Sequence, residues 1–119
     1  MHSLQAVVSV PSTSGNTLVD VFARQVATLL GLPYLPILAK TRPTRRQKTL
    51  TNRVQKEENV RDAFIVQPAA TITNCALLLI DDIYDSGYTL QASAKTLMQA
   101  GARVVYPFTI TRTYHSDNQ

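Results

Sequence analysis

The sequence predicts an α/β fold, an open and mostly parallel sheet with helices on its flanks. Three observations predict it. Short apolar runs near residues 5–10, 34–39, 63–66, 76–81 and 104–110 alternate with two segments whose apolar residues recur at helical spacing. Each helical segment stops at a glycine, Gly31 and Gly101, the residue best suited to a left-handed cap. The run Leu77-Leu78-Leu79-Ile80 is apolar without interruption, as in a strand covered on both faces.

In chain order, Gln5–Val10 reads as a buried strand and Pro11–Asn16 as a loop. Thr17 and Asp20 have capping-box spacing. Leu18, Phe22, Val26 and Leu29/Leu30 follow as the apolar face of a helix, and Pro33 bars its continuation. Tyr34–Ala39 reads as a second strand, with Pro36 placing it at an edge or a bulge. The segment from Lys40 to Arg61 is poor in aliphatic residues, and a mobile loop is expected there, with a helical turn near Asn52–Glu58. A short strand at 63–66, a polar connection and the strand at 76–81 come next. A helix is expected over Thr89–Ala100 with Leu90, Ala94, Leu97 and Met98 on one face, and a last strand over 104–110. Strands joined through helices imply right-handed crossovers. No repeat or linker divides the chain, so residues 1–119 are expected to form one domain.

Composition narrows the classes. Apolar residues make up 45% and charged residues 17% of the chain, which suits a packed core rather than disorder. No apolar run approaches the length of a membrane span, no basic signal-peptide region precedes an apolar one, and a single cysteine, Cys75, allows no internal disulfide. A cytoplasmic protein with no membrane partner is the expectation. Cys75 and His115 are read as structural or incidental. The net charge of +4 is unevenly placed: 8 of 12 Lys and Arg fall between Lys40 and Arg61. Such a run faces an anionic ligand, binds nucleic acid or forms a solvated surface. It carries no interleaved aromatics, so base stacking has no support.

Chemistry concentrates at one stretch. The apolar run ends in Asp81 and Asp82, and Asp85-Ser86-Gly87-Tyr88-Thr89 then leads into a helix. Ligands of open α/β sheets sit at the carboxyl ends of the strands, and a loop opening a helix offers backbone N–H groups and a positive dipole end to an anion. Adjacent carboxylates accept hydrogen bonds from vicinal hydroxyls, and the Asp85–Thr89 loop can hold a phosphate beside them. A ribose phosphate has both features. Two like charges side by side also call for a cation or donors.

An apolar strand, two acids, two spacers and a Ser/Thr-Gly-x-Thr loop resemble the phosphoribosyl pyrophosphate (PRPP) signature of type I phosphoribosyltransferases. The wider chain is similar to competence-protein-F-type members. It is closer still to the phosphoribosyltransferase-like C-terminal domain of some RecQ-type DNA helicases. The residues behind this are Val10-Pro11-Ser12-Thr13, Gly31-Leu32-Pro33, Lys40-Thr41-Arg42, Gln47-Lys48, Asn52, Gln55, Asn59-Val60, Ala63-Phe64 and Val105-Tyr106-Pro107-Phe108. The resemblance implies that Asp81 and Asp82 bind the ribose hydroxyls and help to order Mg²⁺ through water or PRPP. Asp85, Ser86, Gly87, Tyr88 and Thr89 would bind the 5′-phosphate, with the Tyr88 side chain outward. Ser12, Thr13, Ser14 and Gly15 match the pyrophosphate loop. Lys40, Arg42, Arg45, Arg46 and Lys48 match a flexible loop that closes over pyrophosphate. Asp85 either acts as a general base toward the incoming nitrogen, worth roughly 10²- to 10⁴-fold, or simply starts the turn. Full enzymes of this type carry a hood subdomain over the acceptor base. With strands expected from about residue 5 to about 111, the sequence leaves little chain for one.

Two functions follow from different classes. One is a phosphoribosyltransferase, a pentosyl-transferring enzyme of nucleotide metabolism that binds Mg-PRPP or ribose 5-phosphate and serves a nitrogenous acceptor. The other is a non-catalytic module sensing PRPP or a nucleotide for a RecQ-type helicase or a DNA-uptake system. A homodimer and a DNA or helicase context belong to the expected partners.

Overall fold

The structure, a computed structural model, describes residues 3–11, 18–45, 50–67, 71–82 and 87–110. Its elements are β1 (Ala6–Ser9), α1 (Leu18–Leu30), β2 (Leu38–Lys40), α2 (Arg53–Val60), β3 (Phe64–Val66), β4 (Ala76–Asp82), α3 (Tyr88–Gln99) and β5 (Val104–Ile110). Strands β1, β4 and β5 form a parallel sheet in that spatial order. Tyr34 extends it on the far side of β1 through a parallel bridge to Val7, where the Val7 N–H donates to Pro33 O at 3.0 Å and the Leu35 N–H to Val7 O at 2.9 Å. Past Pro36 the chain leaves that edge, and β2 pairs antiparallel with β3. The expected edge or bulge at Pro36 is therefore a change of partner, since proline has no N–H to continue a ladder.

The uninterrupted apolar run of β4 has its reason in the layers. Leu77 and Leu79 join Ala6, Val8 and Val10 in a core closed by Leu97 of α3, Phe64 of β3, Val60 of α2 and Ile72. Leu78 and Ile80 face the other way, with Val7, into a second core under α1. Both faces of the sheet are covered, so neither set of alternating side chains can be polar. β5 is the edge, and its Pro107 stands where a missing N–H harms least.

Two helices present different faces from those the spacing predicts. In α1 the buried residues are Val19, Ala23 and Ala27, whereas Leu18 and Leu30 are exposed and Leu29 is 85% exposed. Phe22 and Val26 lie at the border of the core, and Phe22 stacks on Phe108 of β5 with ring centroids 6.5 Å apart. Small side chains let α1 settle close on β1 and β4, which turns the large leucines outward. In α3 the buried pair is Ser93 and Leu97, and Met98 is exposed. The stripe centres on Leu90, Ser93, Ala94 and Leu97, which puts Met98 past its margin. The two terminating glycines adopt positive φ, 70° at Gly31 and 110° at Gly101, as a left-handed cap requires.

Ser93 is wholly buried, and its hydroxyl has no hydrogen-bond partner among the described residues. A buried unpaired hydroxyl costs more than the atom contributes by packing. Ser93→Ala is therefore expected to stabilise the protein by about 1 kcal/mol, read as a rise in melting temperature of roughly 4 °C. A fall would show that the hydroxyl is paired in solution.

Candidate functional site

The chain leaves β1 and β4 in opposite directions. β1 connects through α1 to Tyr34 on its outer side, and β4 connects through α3 to β5 on the other. The gap between the carboxyl ends of β1 and β4 is thus a topological switch point, where open α/β sheets place their ligands. The β1–β4 register ends at Ser9↔Ile80, followed by a bond from the Val10 N–H to Ile80 O at 3.0 Å. β4 runs on for two more residues beside β5, Asp81↔Thr109 and Asp82↔Ile110. These two residues are the acidic pair that the sequence singles out.

The two carboxylates are coupled. The Asp82 N–H donates to Asp81 Oδ1 at 2.8 Å. Burial nevertheless pushes the Asp81 carboxyl up to about 7, and the neighbouring Asp82 charge adds to the rise against that hydrogen bond. At neutral pH the free protein therefore holds a partly protonated acid at the end of its central strand. A cation or hydroxyl donors placed there would favour the ionised form.

Helix α3 begins at Tyr88, and Gly87 is its N-cap at φ 84° with no side-chain cap. A Cβ at Gly87 would meet no neighbour, so its requirement is conformational rather than steric. The first-turn N–H groups of an α-helix lack intrahelical acceptors, and Gly87, Tyr88 and Thr89 stand at that end. The Tyr88 ring does not point outward. It packs against the core under the sheet, because α2 lies alongside α3 and closes that side; Arg53 of α2 is within electrostatic reach of its phenol. Asp85 and Ser86, and likewise Ser12, Thr13, Ser14 and Gly15, lie outside the described residues.

The basic segment is a tethered excursion between β2 and β3. Lys40 sits in β2 opposite Phe64, and burial lowers its ammonium from the ordinary range. Arg42 caps the C-terminal end of α2. Its Nη1 donates to Asn59 O at 3.0 Å, and its Nη2 donates to Glu58 O at 3.1 Å and Arg61 O at 2.7 Å. α2 has no basic residue in its own last turn, so Arg42 supplies the cation that its orphan carbonyls favour. The Asn59 side chain clamps Arg45 twice, accepting from its N–H at 2.8 Å and donating to its O at 2.7 Å. Arg53 and Arg61 pair with Glu57 and Glu58. Where a mobile loop is expected from composition, residues 41–45 carry these hydrogen bonds to α2, while Arg42 and Arg45 themselves stay exposed. Arg46 and Lys48 lie outside the described residues.

Sequence reasoning missed the roles of Asn59, which acts across 14 residues, and Tyr34, whose hydroxyl meets both Ser9 and Asp20. No local spacing marks such long-range partners. The short helix α2 carried one signal, Asn52, whose Oδ1 accepts from the Gln55 N–H at 2.9 Å as a helix cap.

No family model matches the chain, and no curated protein matches it by sequence. Solved structures do match in fold. Adenine phosphoribosyltransferase from Saccharomyces cerevisiae, complexed with an imino-altritol bisphosphate and adenine, superposes with a TM-score of 0.60 at 17% identity, covering 92% of this chain and 56% of that one. Glutamine PRPP amidotransferase from B. subtilis, complexed with ADP and GMP, gives 0.62 at 23% identity over 91% of this chain and 22% of its own. Adenine phosphoribosyltransferase from Thermoanaerobacter pseudethanolicus gives 0.59 at 15%, with 92% and 70% covered. The chain thus spans little more than half of the S. cerevisiae enzyme and about a fifth of the amidotransferase. The fold is the phosphoribosyltransferase core, without a sizeable hood among the described residues.

Two predictions test this geometry. Because the folded-state pKa of Asp81 lies above its ordinary 3.8, the native state binds that proton more tightly than the unfolded chain. The stabilisation is complete below about pH 4 and is lost as pH rises through about 7. Its ceiling is about 4 kcal/mol for a rise of roughly three pH units. Between pH 5 and pH 8 the melting temperature of Asp81→Asn should fall less than that of the unmodified protein; parallel curves would place Asp81 in solvent. Second, Asn59→Ala and Arg42→Ala should each speed tryptic cleavage after Arg45 roughly fivefold. An unchanged rate would mean that these bonds do not hold the segment.

Proposed function

We propose that this chain is a type I phosphoribosyltransferase-like domain that binds Mg-PRPP, or a related ribose phosphate, at the switch point between β1 and β4. One observation carries the proposal: an adjacent carboxylate pair ends the central strand there, and Gly87, which leads the N-terminus of α3, stands five residues after Asp82. In this reading Asp81 and Asp82 accept hydrogen bonds from the ribose 2′- and 3′-hydroxyls. Gly87, Tyr88 and Thr89, with Asp85 and Ser86 ahead of them, receive the 5′-phosphate through backbone N–H groups and hydroxyls. Ser12, Thr13, Ser14 and Gly15 take the pyrophosphate. The neighbours of this fold that hold a phosphorylated iminosugar with adenine, or purine nucleotides, support a ligand of this class.

The residues present fit Mg²⁺ of a particular kind. Among the described residues no group of three or more His, Cys, Asp or Glu could hold a metal by itself. Mg²⁺ needs no such cage, because one or two carboxylates with phosphates and water complete its shell. Asp81 and Asp82 would hold it, mostly through water and the ligand, and a cation there would offset the burial that disfavours the ionised Asp81 carboxyl. Bound there it would supply neutralisation of phosphate charge. The protein's own share of a transfer reaction would be electrostatic. Carboxylates beneath the sugar would favour the positive charge that grows at C1 as the C1–O bond breaks and pyrophosphate leaves, and Asp85 would take the proton of a nitrogenous acceptor.

The second reading is a sensing module of a RecQ-type helicase or DNA-uptake system, with the same pocket and no transfer. The core without a sizeable hood favours it, since little among the described residues is left to grip a base. A broad DNA-binding face has less support, because Arg42, Arg53 and Arg61 already have partners in the α2 segment. The wider resemblance to competence-protein-F-type and helicase-associated domains belongs to this proposal, as do one domain over residues 1–119, a homodimer and a cytoplasmic location. No described helix is long and apolar enough to cross a membrane.

Calorimetry with PRPP and Mg²⁺ tests the site. At about 100 times its dissociation constant the ligand should stabilise the protein by roughly 2.7 kcal/mol. The double variant Asp81→Asn, Asp82→Asn should fold and lose binding. A folded wild-type protein with no response to millimolar PRPP would remove the proposal. Binding without turnover across nitrogenous acceptors would favour the sensing module.

A further inference from the structure

Helix α1 covers β1 and β4 and reaches β5 mainly through Phe22, whose ring stacks on Phe108. The register Leu78↔Tyr106 and Ile80↔Phe108 turns both β5 aromatics to the α1 side of the sheet. Both stay exposed, and β5 has no neighbour beyond its outer edge among the described residues. On α1, Leu18, Phe22, Gln25 and Leu29 recur at i, i+4, i+7 and i+11, so they share one flank. The Phe22 stack turns that flank toward β5, and Val21 lies beside it. Leu29 is 85% exposed, and Leu18, Val21, Tyr106 and Phe108 are between 38% and 46% exposed. The result is a step, a raised apolar helix flank beside an open strand face. No charge interrupts it: β5 has no Lys, Arg, Asp or Glu. The ionic residues of α1 are Asp20 and Arg24, which pair with each other on the opposite flank, where Arg24 lies over Tyr34.

We infer that this step is where two copies of the chain meet: α1 of each lies over β5 of the other, and the two α1 flanks run side by side about a two-fold axis. The inference does not depend on the ribose-phosphate reading. An isologous contact must match itself, and a helix flank beside an uncovered strand does so, since each copy supplies the helix layer that the other's β5 lacks. Charge selects the occupant. The chain carries +4, and 8 of its 12 cations fall between Lys40 and Arg61, whose α2 packs on the opposite face of the sheet. Two copies meeting there would repel, whereas the α1–β5 step brings neutral apolar surfaces together. A nucleic acid or an anionic membrane would need cations bordering the stripe, and the one arginine of α1 is paired with Asp20. At about 200 Å² for a whole side chain of this size, the five exposed residues present on the order of 500 Å² per copy. Two copies would bury roughly 1,000 Å², the lower bound for a specific interface, so the affinity belongs in the micromolar range rather than the nanomolar one.

Sedimentation velocity on the whole chain, from about 1 to about 500 µM, tests this. The wild-type protein should pass from 13.2 kDa to twice that mass as concentration rises. Leu29→Glu and Tyr106→Glu, one on each side of the step, should each raise the dimer dissociation constant at least about tenfold, because each places a carboxylate in an apolar contact. Both positions are exposed in the single copy, so the circular dichroism of dilute protein should not change. Val54→Glu, at a 70% exposed position on α2, should leave association as it is. A wild-type chain that stays monomeric throughout overturns the inference and leaves the step to a different protein. A dimer that survives both step substitutions, or that Val54→Glu weakens as much, overturns it by placing the contact elsewhere. No ligand enters the measurement, so its outcome is separate from that of the PRPP calorimetry.

Discussion

Everything at the candidate site depends on the enclosure of β4. It is hydrogen-bonded along both edges, to β1 and β5, and covered on both faces, by α1 and by α3 with the β2–β3 ribbon. A strand so placed must be apolar for as long as both neighbours accompany it. Where the β1 register stops at Ser9↔Ile80, polar side chains first become affordable, and Asp81 and Asp82 appear there. Asp81 is close enough to the core that burial dominates its titration. The same enclosure that stabilises the sheet therefore poises an acid at the strand end.

The second constraint is directional. β1 and β4 send their chains to opposite sides, which makes the gap between their carboxyl ends a topological switch point. Each strand end leads toward the N-terminus of its own helix. The N-terminal ends of α1 and α3 are thus separate.

The basic segment shows how a charge run can be spent locally. Eight cations in a short stretch read as a surface for an anion. In the fold Arg42 finishes α2 through three carbonyls, Arg53 and Arg61 pair with α2 glutamates, and Lys40 is partly withdrawn into the ribbon. Such exposed pairs contribute little stability each. Their effect is to attach residues 41–45 to α2, so that this part of the segment follows α2, which itself lies against α3 and Tyr88.

By itself the sequence determined the α/β class, the three strands of the parallel sheet and the candidate strand end, but not that the expected strand 34–39 shrinks to β2 at Leu38–Lys40 in an antiparallel pair with β3. These follow from local signals: uninterrupted apolar runs, glycines at the helix stops, Pro36 at an edge, and an acidic pair ahead of a Ser-Gly-Tyr-Thr loop. Chemistry of this kind is written within a few residues, so periodicity and turn propensity suffice to read it. Only the tertiary structure decided which side of α1 faces the sheet. Leu18 and Leu29 satisfy helical spacing as well as Val19, Ala23 and Ala27 do, and the choice rests on how closely the helix can approach β1 and β4. Tertiary structure also brought Arg42 to the end of α2, Asn59 to Arg45, and Tyr34 to both Ser9 and Asp20. Those partners are 14 to 25 residues apart, beyond any helical or strand period, and they meet only because the sheet has already fixed where each segment runs.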